Sequence, residues 1–145
     1  MSAGRPGLED SLGHWAARLS WAARGALERR LKPLGVSPPM MAALLALSQG
    51  AERATDLAAL MGVDAAAVTR LLDRLAEQGL VERCELKGDR RARRIELSAK
   101  ARALLPALQK AADGMGQALE AGLSAGQKRA LIKTLKALTE RAETL

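Results

Sequence analysis

The sequence predicts a mainly α chain, α+β in class, with one small sheet. Three observations carry that reading. Of the 145 residues 48% are apolar, yet there is no Phe or Tyr and there are only two Trp, so the core must be built from Leu and Ala, which favour helix. Apolar positions recur at spacings of three and four along most of the chain. Only the stretch from Gly79 to Ser98 reads as two short extended segments around a turn. The length suffices for one domain with a real core, and the apolar fraction excludes a disordered chain.

Residues 1–7 read as a loose arm. From Leu8 the positions Leu8, Leu12, Trp15, Leu19, Ala22 and Ala26 trace one long amphipathic helix, widened by Leu27, Leu31 and Leu34 and stopping near Pro33 to Gly35. A long helix at the edge of a small domain needs a surface to lie on, and a second subunit would supply one. Ser37-Pro38 opens the next helix, with Ser as cap and Pro in the first turn. Met40 to Leu47 is apolar on nearly all sides, which predicts burial, and Gln49-Gly50 ends the helix.

Thr55 is expected to start a short helix with its hydroxyl as cap and Asp56 at the positive end. Leu57, Ala58, Leu60 and Met61 form its apolar face. Gly62-Val63 makes a tight turn, and Asp64 caps a helix that runs to Gln78 and stops at Gly79. Val68, Leu71, Leu72 and Leu75 are its buried stripe. Two helices joined by a short Gly turn form a helix-turn-helix unit.

Strands are expected over Val81 to Leu86 and Arg93 to Leu97, with Lys87-Gly88-Asp89-Arg90-Arg91 as the turn. Ser98 caps a helix from Ala99 toward Leu119, in which Pro106 should introduce a kink or strain and Gly114 and Gly116 are weak points. Gly122 breaks it, Ser124 caps the last helix, and Leu131, Leu135 and Leu138 continue at helical spacing.

Charge turns this layout into a functional reading. The net charge is +7 and the pI about 10.3. Lys87, Arg90, Arg91, Arg93 and Arg94 against Asp89 leave a surplus of four positive charges within eight residues. Such a surplus on a hairpin suggests a polyanion held there. Single-stranded nucleic acid needs aromatic platforms for stacking, and this chain has none to spare, so duplex DNA is favoured. The middle third then reads as a winged helix-turn-helix, with the hairpin as wing.

The helix from Asp64 to Gln78 is the expected major-groove reader. Its outward face carries Ala66, Arg70, Asp73 and Glu77, with Thr69 and Arg74 on the flanks. Thr69 suits a thymine methyl or a phosphate, and Arg70 and Arg74 suit a guanine edge or a phosphate. The competing reading is a solvated face with ion pairs Arg70–Asp73 and Arg74–Glu77. In the wing, Arg91 is the choice for minor-groove insertion, with Asp89 holding its fork. Lys87, Arg90, Arg93 and Arg94 suit phosphates; the competing reading is a solubilising basic turn. Thr55, Asp64, Ala66, Thr69, Arg70, Arg74, Lys87, Asp89, Arg90, Arg91 and Arg93 make up the candidate DNA-binding set.

At Leu57-Ala58, Val68-Thr69-Arg70, Leu75, Gly79-Leu80-Val81-Glu82-Arg83 and D-R-R-A-R-R-I-E-L-S the chain resembles the MarR (multiple antibiotic resistance regulator) family. The family's wing pattern, Asp-x-Arg, three residues, an aliphatic, one residue, then Leu-Thr/Ser, is met by Asp89, Arg91, Ile95, Leu97 and Ser98. The match runs from about Val36 to Leu105. The resemblance implies a homodimeric regulator, most simply a repressor, on a near-palindromic operator in double-stranded DNA. Residues 36–98 would bind DNA, and residues 8–35 and 99–145 would form the helical dimerisation region, with Leu12, Leu19, Leu131, Leu135 and Leu138 at its interface. It also implies release by a small aromatic or phenolic effector, for which His14, Trp15, Arg18, Met40 and Met41 occupy the corresponding positions. The plainer reading of these five is core, interface or surface ion pair. The doubled Pro38-Pro39 and Pro106 depart from the family pattern near any such pocket.

Cys84 is the only cysteine, which excludes an intrachain disulfide and fits a reducing, cytoplasmic setting. Some relatives sense oxidants through cysteine, and Arg83 beside Cys84 would lower its pKa if close; an incidental thiol is the plainer expectation. No signal peptide is evident, and the apolar run from Met40 to Leu47 is too short for a bilayer, so no membrane partner is expected. One His, one Cys and no Tyr, without metal-ligand spacing or a Gly-rich phosphate loop, argue against an enzyme and predict no metal and no cofactor. Two other readings compete with a sequence-specific regulator: an architectural DNA-binding protein with little sequence preference, and a helical interaction subunit.

Overall fold

In the computed structural model residues 7–86 and 89–145 are described, with Leu86 and residues 89–92 described by their backbone alone. Among the described residues, six α-helices and one antiparallel hairpin follow the order expected of a mainly α, winged helix-turn-helix chain. The N-terminal helix is shorter than its apolar spacing suggests. Leu8–Asp10 form a separate 3-10 turn, and α1 spans Leu12–Leu31. Ser11 breaks the run: its backbone is extended and its Oγ accepts from the His14 N–H at 3.3 Å, the ordinary N-cap arrangement. The Trp15 indole N–H then donates to the Glu9 carbonyl at 2.8 Å and holds the turn against the helix.

A second 3-10 turn, Lys32–Leu34, ends at Gly35 in the left-handed region. α2 (Pro38–Ser48) starts as expected, with Ser37 Oγ accepting from the Met40 N–H. α3 (Ala54–Met61) differs at its start. Thr55 lies inside the first turn, where its hydroxyl caps nothing, and the preceding Arg53 is the N-cap. Asp56 does the capping instead, accepting from the Glu52 and Arg53 N–H groups at 3.0 and 2.9 Å. Those two bonds hold the Asp56 carboxyl below its ordinary pKa. α4 (Ala65–Glu77) begins on Asp64, whose Oδ1 accepts from the Ala67 N–H at 2.8 Å, and ends at Gly79 with φ +70°.

β1 (Val81–Leu86) and β2 (Asp89–Leu97) pair antiparallel. The expected turn over 87–91 is therefore too long, because Asp89, Arg90 and Arg91 belong to β2; Lys87 and Gly88 lie outside the described residues. The register runs Val81↔Leu97 to Glu85↔Arg93 and then jumps to Leu86↔Asp89, leaving residues 90–92 as the excess of a bulge. α5 (Ala99–Glu120) runs unbroken through Pro106, and α6 (Ala125–Glu143) follows the Gly122 break. Pro106 lies on the exposed side of α5, where the carbonyl it leaves unpaired can turn to water.

The core is one cluster. Leu31 from α1, Leu44 from α2, Leu57 from α3, Val68 and Leu75 from α4, Leu80 before β1 and Leu108 from α5 are all fully buried. Each is worth roughly 1.5–3 kcal/mol on transfer from water. Ile95 and Val81 extend the cluster to the root of the hairpin, so the wing is anchored in the same core as the helices. α6 contributes no buried residue, and α1 buries only Leu31 at its end. Among the described residues no single helix is long and apolar enough to cross a membrane.

Candidate nucleic-acid interface

The buried stripe of α4 determines what its other side offers. With Val68, Leu71, Leu72 and Leu75 against the core, Ala66, Thr69, Arg70 and Arg74 are all exposed. Thr69 Oγ1 donates to the Ala65 carbonyl at 2.9 Å, so its proton is used within the helix. Asp64 is exposed, but its carboxylate is committed to the cap. Thr55, in the first turn of α3, is exposed as well.

The intrahelical pairs Arg70–Asp73 and Arg74–Glu77 do not occur among the ion pairs of the described residues. Asp73 turns instead to the hairpin, where Arg83 Nη2 approaches its Oδ1 to 2.6 Å. A second tie holds the other strand. Arg94 reaches Glu52 at 3.2 Å and Glu96 at 3.9 Å, and the Ile95 N–H donates to the Glu52 carbonyl at 2.8 Å. Arg94, expected to meet phosphates, lies beside two carboxylates and remains partly exposed. Arg93 is exposed and stands opposite Glu85 in the register. Asp89, Arg90 and Arg91 are placed in β2 by backbone only, and the side-chain contact expected between Asp89 and Arg91 lies outside the described residues, as does Lys87.

The C-terminal end of α4 is tied to α5. Ser98 Oγ accepts from Ala101 N–H as cap and donates to the Gly79 carbonyl at 2.6 Å, while Lys100 Nζ donates to the Gln78 carbonyl at 2.8 Å. A cation on these last carbonyls is favoured by the helix dipole. None of these ties was visible in the sequence beyond the Ser98 cap, because their partners lie from 10 to 42 residues apart.

Cys84, half-buried in β1, has its thiol pKa pushed up. Burial is the first cause, followed by the charge and hydrogen bond of Glu96 and the charge of Glu82, against a smaller opposing effect of Arg94. The acidic strand neighbours thus outweigh the basic ones, and the expected lowering by Arg83 does not occur.

The effector candidates separate into two groups. His14 and Trp15 meet edge to face at 5.7 Å, and Arg18 Cζ sits 5.2 Å from the Trp15 ring centre, a cation–π contact. His14 and Arg18 line a shallow cavity of about 500 Å³ with Ala17, Ala22 and Trp21. Trp21, 83% exposed, was not singled out by its spacing. Met40 and Met41 are buried in the core and do not join this group. A larger cleft, about 800 Å³, opens between the end of α1 and α5 beside Arg30, Leu34, Pro106 and Lys110, and none of the five candidates lines it. Of the interface candidates, Leu12, Leu19, Leu131 and Leu135 are exposed and Leu138 is half-buried. Among the described residues no group of His, Cys, Asp or Glu is arranged to hold a metal.

The family model for the MarR family matches residues 34–92, the span from α2 to the hairpin. Solved structures extend the likeness to the outer helices. The transcriptional regulator PA3341 is 31% identical, with 93% of this chain and 100% of that one covered and a TM-score of 0.79. CouR from Rhodococcus jostii RHA1, bound to p-coumaroyl-CoA, is 26% identical over 92% of this chain and 95% of that one, with a TM-score of 0.82. A cysteine-to-serine mutant of MarR from E. coli, complexed with operator DNA, is 26% identical over 88% and 92%, with a TM-score of 0.79.

Proposed function

Because the chain belongs to the MarR family of DNA-binding transcriptional regulators, we propose that it is a homodimeric repressor of a near-palindromic operator, released by a small aromatic or phenolic effector. The observation that carries the DNA-binding mode is the pairing of one exposed helix face, Ala66, Thr69, Arg70 and Arg74, with a basic hairpin tied to the same helix. α4 enters the major groove, where Arg70 and Arg74 meet a guanine edge or a phosphate and the Thr69 methyl packs on a thymine. Arg91 enters the minor groove beside it. Lys87, Arg90 and Arg93 take phosphates, with Thr55 at the start of α3 as a further backbone contact. Residues 36–98 form the DNA-binding region, and residues 8–35 and 99–145 the dimerisation region.

The effector reading is supported by the p-coumaroyl-CoA complex of CouR and by the cation–aromatic group of His14, Trp15 and Arg18 on α1. That group suits an anionic aromatic molecule. A regulator of this kind works in the cytoplasm, beside the chromosome.

The test is binding to the gene's own upstream DNA against random DNA of equal length, at two salt concentrations. A specific regulator prefers its site by about 10³-fold or more. Equal affinity for both duplexes would establish an architectural protein, and no binding to either would leave a helical interaction subunit. Arg91→Ala should weaken operator binding by at least about tenfold, because both wings of the dimer lose a groove contact; an affinity within twofold of the parent would overturn the wing assignment.

A further inference from the structure

We infer that Asp73 and Arg83 are a positioning pair for DNA binding: the pair fixes the wing to the recognition helix and cancels a carboxylate that would otherwise face the polyanion. Asp73 lies on the outward face of α4, in the same row as Ala66 and Arg70, one turn beyond Arg70. It remains half exposed there, with a side-chain accessibility of 53%. An uncompensated negative charge in that row would repel phosphates on both flanks of the groove. Arg83, projecting from β1, meets it at 2.6 Å, a charge-assisted hydrogen bond at the short end of the range.

The contact also has a mechanical consequence. β1 leaves α4 through Gly79 and Leu80 and would otherwise be held to the helix only at its root, through Leu80 and Val81 in the core. Asp73 lies in the second half of α4, and Arg83 lies two residues beyond the buried Val81, so the pair adds a second point of attachment farther out along the hairpin. Two points set the angle between helix and wing where one would leave it free. The Arg94–Glu52 contact does the same for β2 against the segment before α3, so each strand has its own tie.

This role rests on α4 and the hairpin being the DNA-binding elements, and the experiment separates the two claims. The duplex probe is the gene's own upstream DNA, titrated at several salt concentrations with the full chain, Arg83→Ala, Asp73→Ala and the double variant. The parent's preference for this duplex over random DNA tests the function itself. Given that preference, Arg83→Ala should bind about tenfold more weakly, since it exposes Asp73 to the DNA and frees the strand. Asp73→Ala added to it should recover part of the loss, to within about threefold of the parent, by removing the orphaned charge. Arg83→Lys should stay close to the parent, because it keeps the charge on Asp73. The inference is overturned if Arg83→Ala binds as the parent does. It is equally overturned if the double variant is no better than Arg83→Ala and both lower the salt slope by about two, one phosphate contact per protomer of the dimer. Helical content and melting of each variant accompany the titration, so that a recovery of affinity without a change in stability marks positioning rather than folding.

Discussion

Thr55 and Asp56 are adjacent residues of opposite fate. A side chain caps a helix from the extended residue just before it, or reaches back from its third position. Thr55 occupies the second helical position of α3, from which its hydroxyl caps nothing, whereas Asp56 occupies the third and takes two backbone N–H groups. Because these bonds favour the ionised form, the folded pKa lies below the unfolded one. The stabilisation is then present above the ordinary carboxylate value and is lost as pH falls through the depressed folded value. Asp56→Asn should therefore melt at a lower temperature than the parent at pH 7, with the gap closing below about pH 4. Melting curves of both proteins across that range measure it; a gap that persists unchanged into acid would mean that the charge of Asp56 contributes nothing. The same scale bears on Cys84. Its flanking Arg83 is turned toward Asp73, and burial with Glu96 and Glu82 outweighs Arg94 in raising the thiol pKa, which disfavours the reactive thiolate at neutral pH.

At the scale of elements, what the sequence made legible was whatever is local. Ser37, Asp64, Ser98 and Ser124 each cap the helix that begins one residue later, because an i to i+3 bond needs only four consecutive residues to be read. The α4 stripe was legible for the same reason. The start of β2 was not, since Asp89 and its basic neighbours have turn chemistry and strand placement is decided by pairing across the hairpin. The ties from Arg83, Arg94 and Lys100 were equally hidden, because their partners come from other elements. The glycines divide along this line too. Gly79 has φ +70° just past the end of α4, while Gly116 lies within α5 with no side chain or neighbouring element within 4 Å of where a Cβ would stand. Gly79→Ala should cost about 1–2 kcal/mol from left-handed strain. Gly116→Ala should stabilise the helix by up to about 1 kcal/mol. Urea unfolding midpoints read both, and the same sign for the two substitutions would contradict this division.

At the scale of the molecule, the distribution of exposed apolar residues is lopsided. Of the thirteen large hydrophobic side chains exposed among the described residues, only Leu60 and Val63 fall within residues 36–98. The rest lie on α1, α5, α6 and their flanks, including Leu12, Trp15 and Leu19 on one helix and Leu131, Ile132 and Leu135 on another. A single copy therefore covers most of the apolar surface of residues 36–98 and leaves its outer helices without cover. Apolar surface of this extent calls for a partner, and a second copy offers the same uncovered faces in return, as a two-fold interface requires. Removing residues 124–145 takes away α6 whole, together with Leu131, Leu135 and Leu138, but nothing from the buried core. If the proposed dimer is right, the full chain should sediment as a dimer, and the truncated chain should keep a folded winged helix and sediment as a monomer. Its operator affinity should fall by at least about 10²-fold, since a dimer binds its second half-site at the high effective concentration that the first provides, and a monomer does not. A truncated chain that still sediments as a stable dimer would place the interface on α1 and α5 alone, and the exposed face of α6 would then need another occupant.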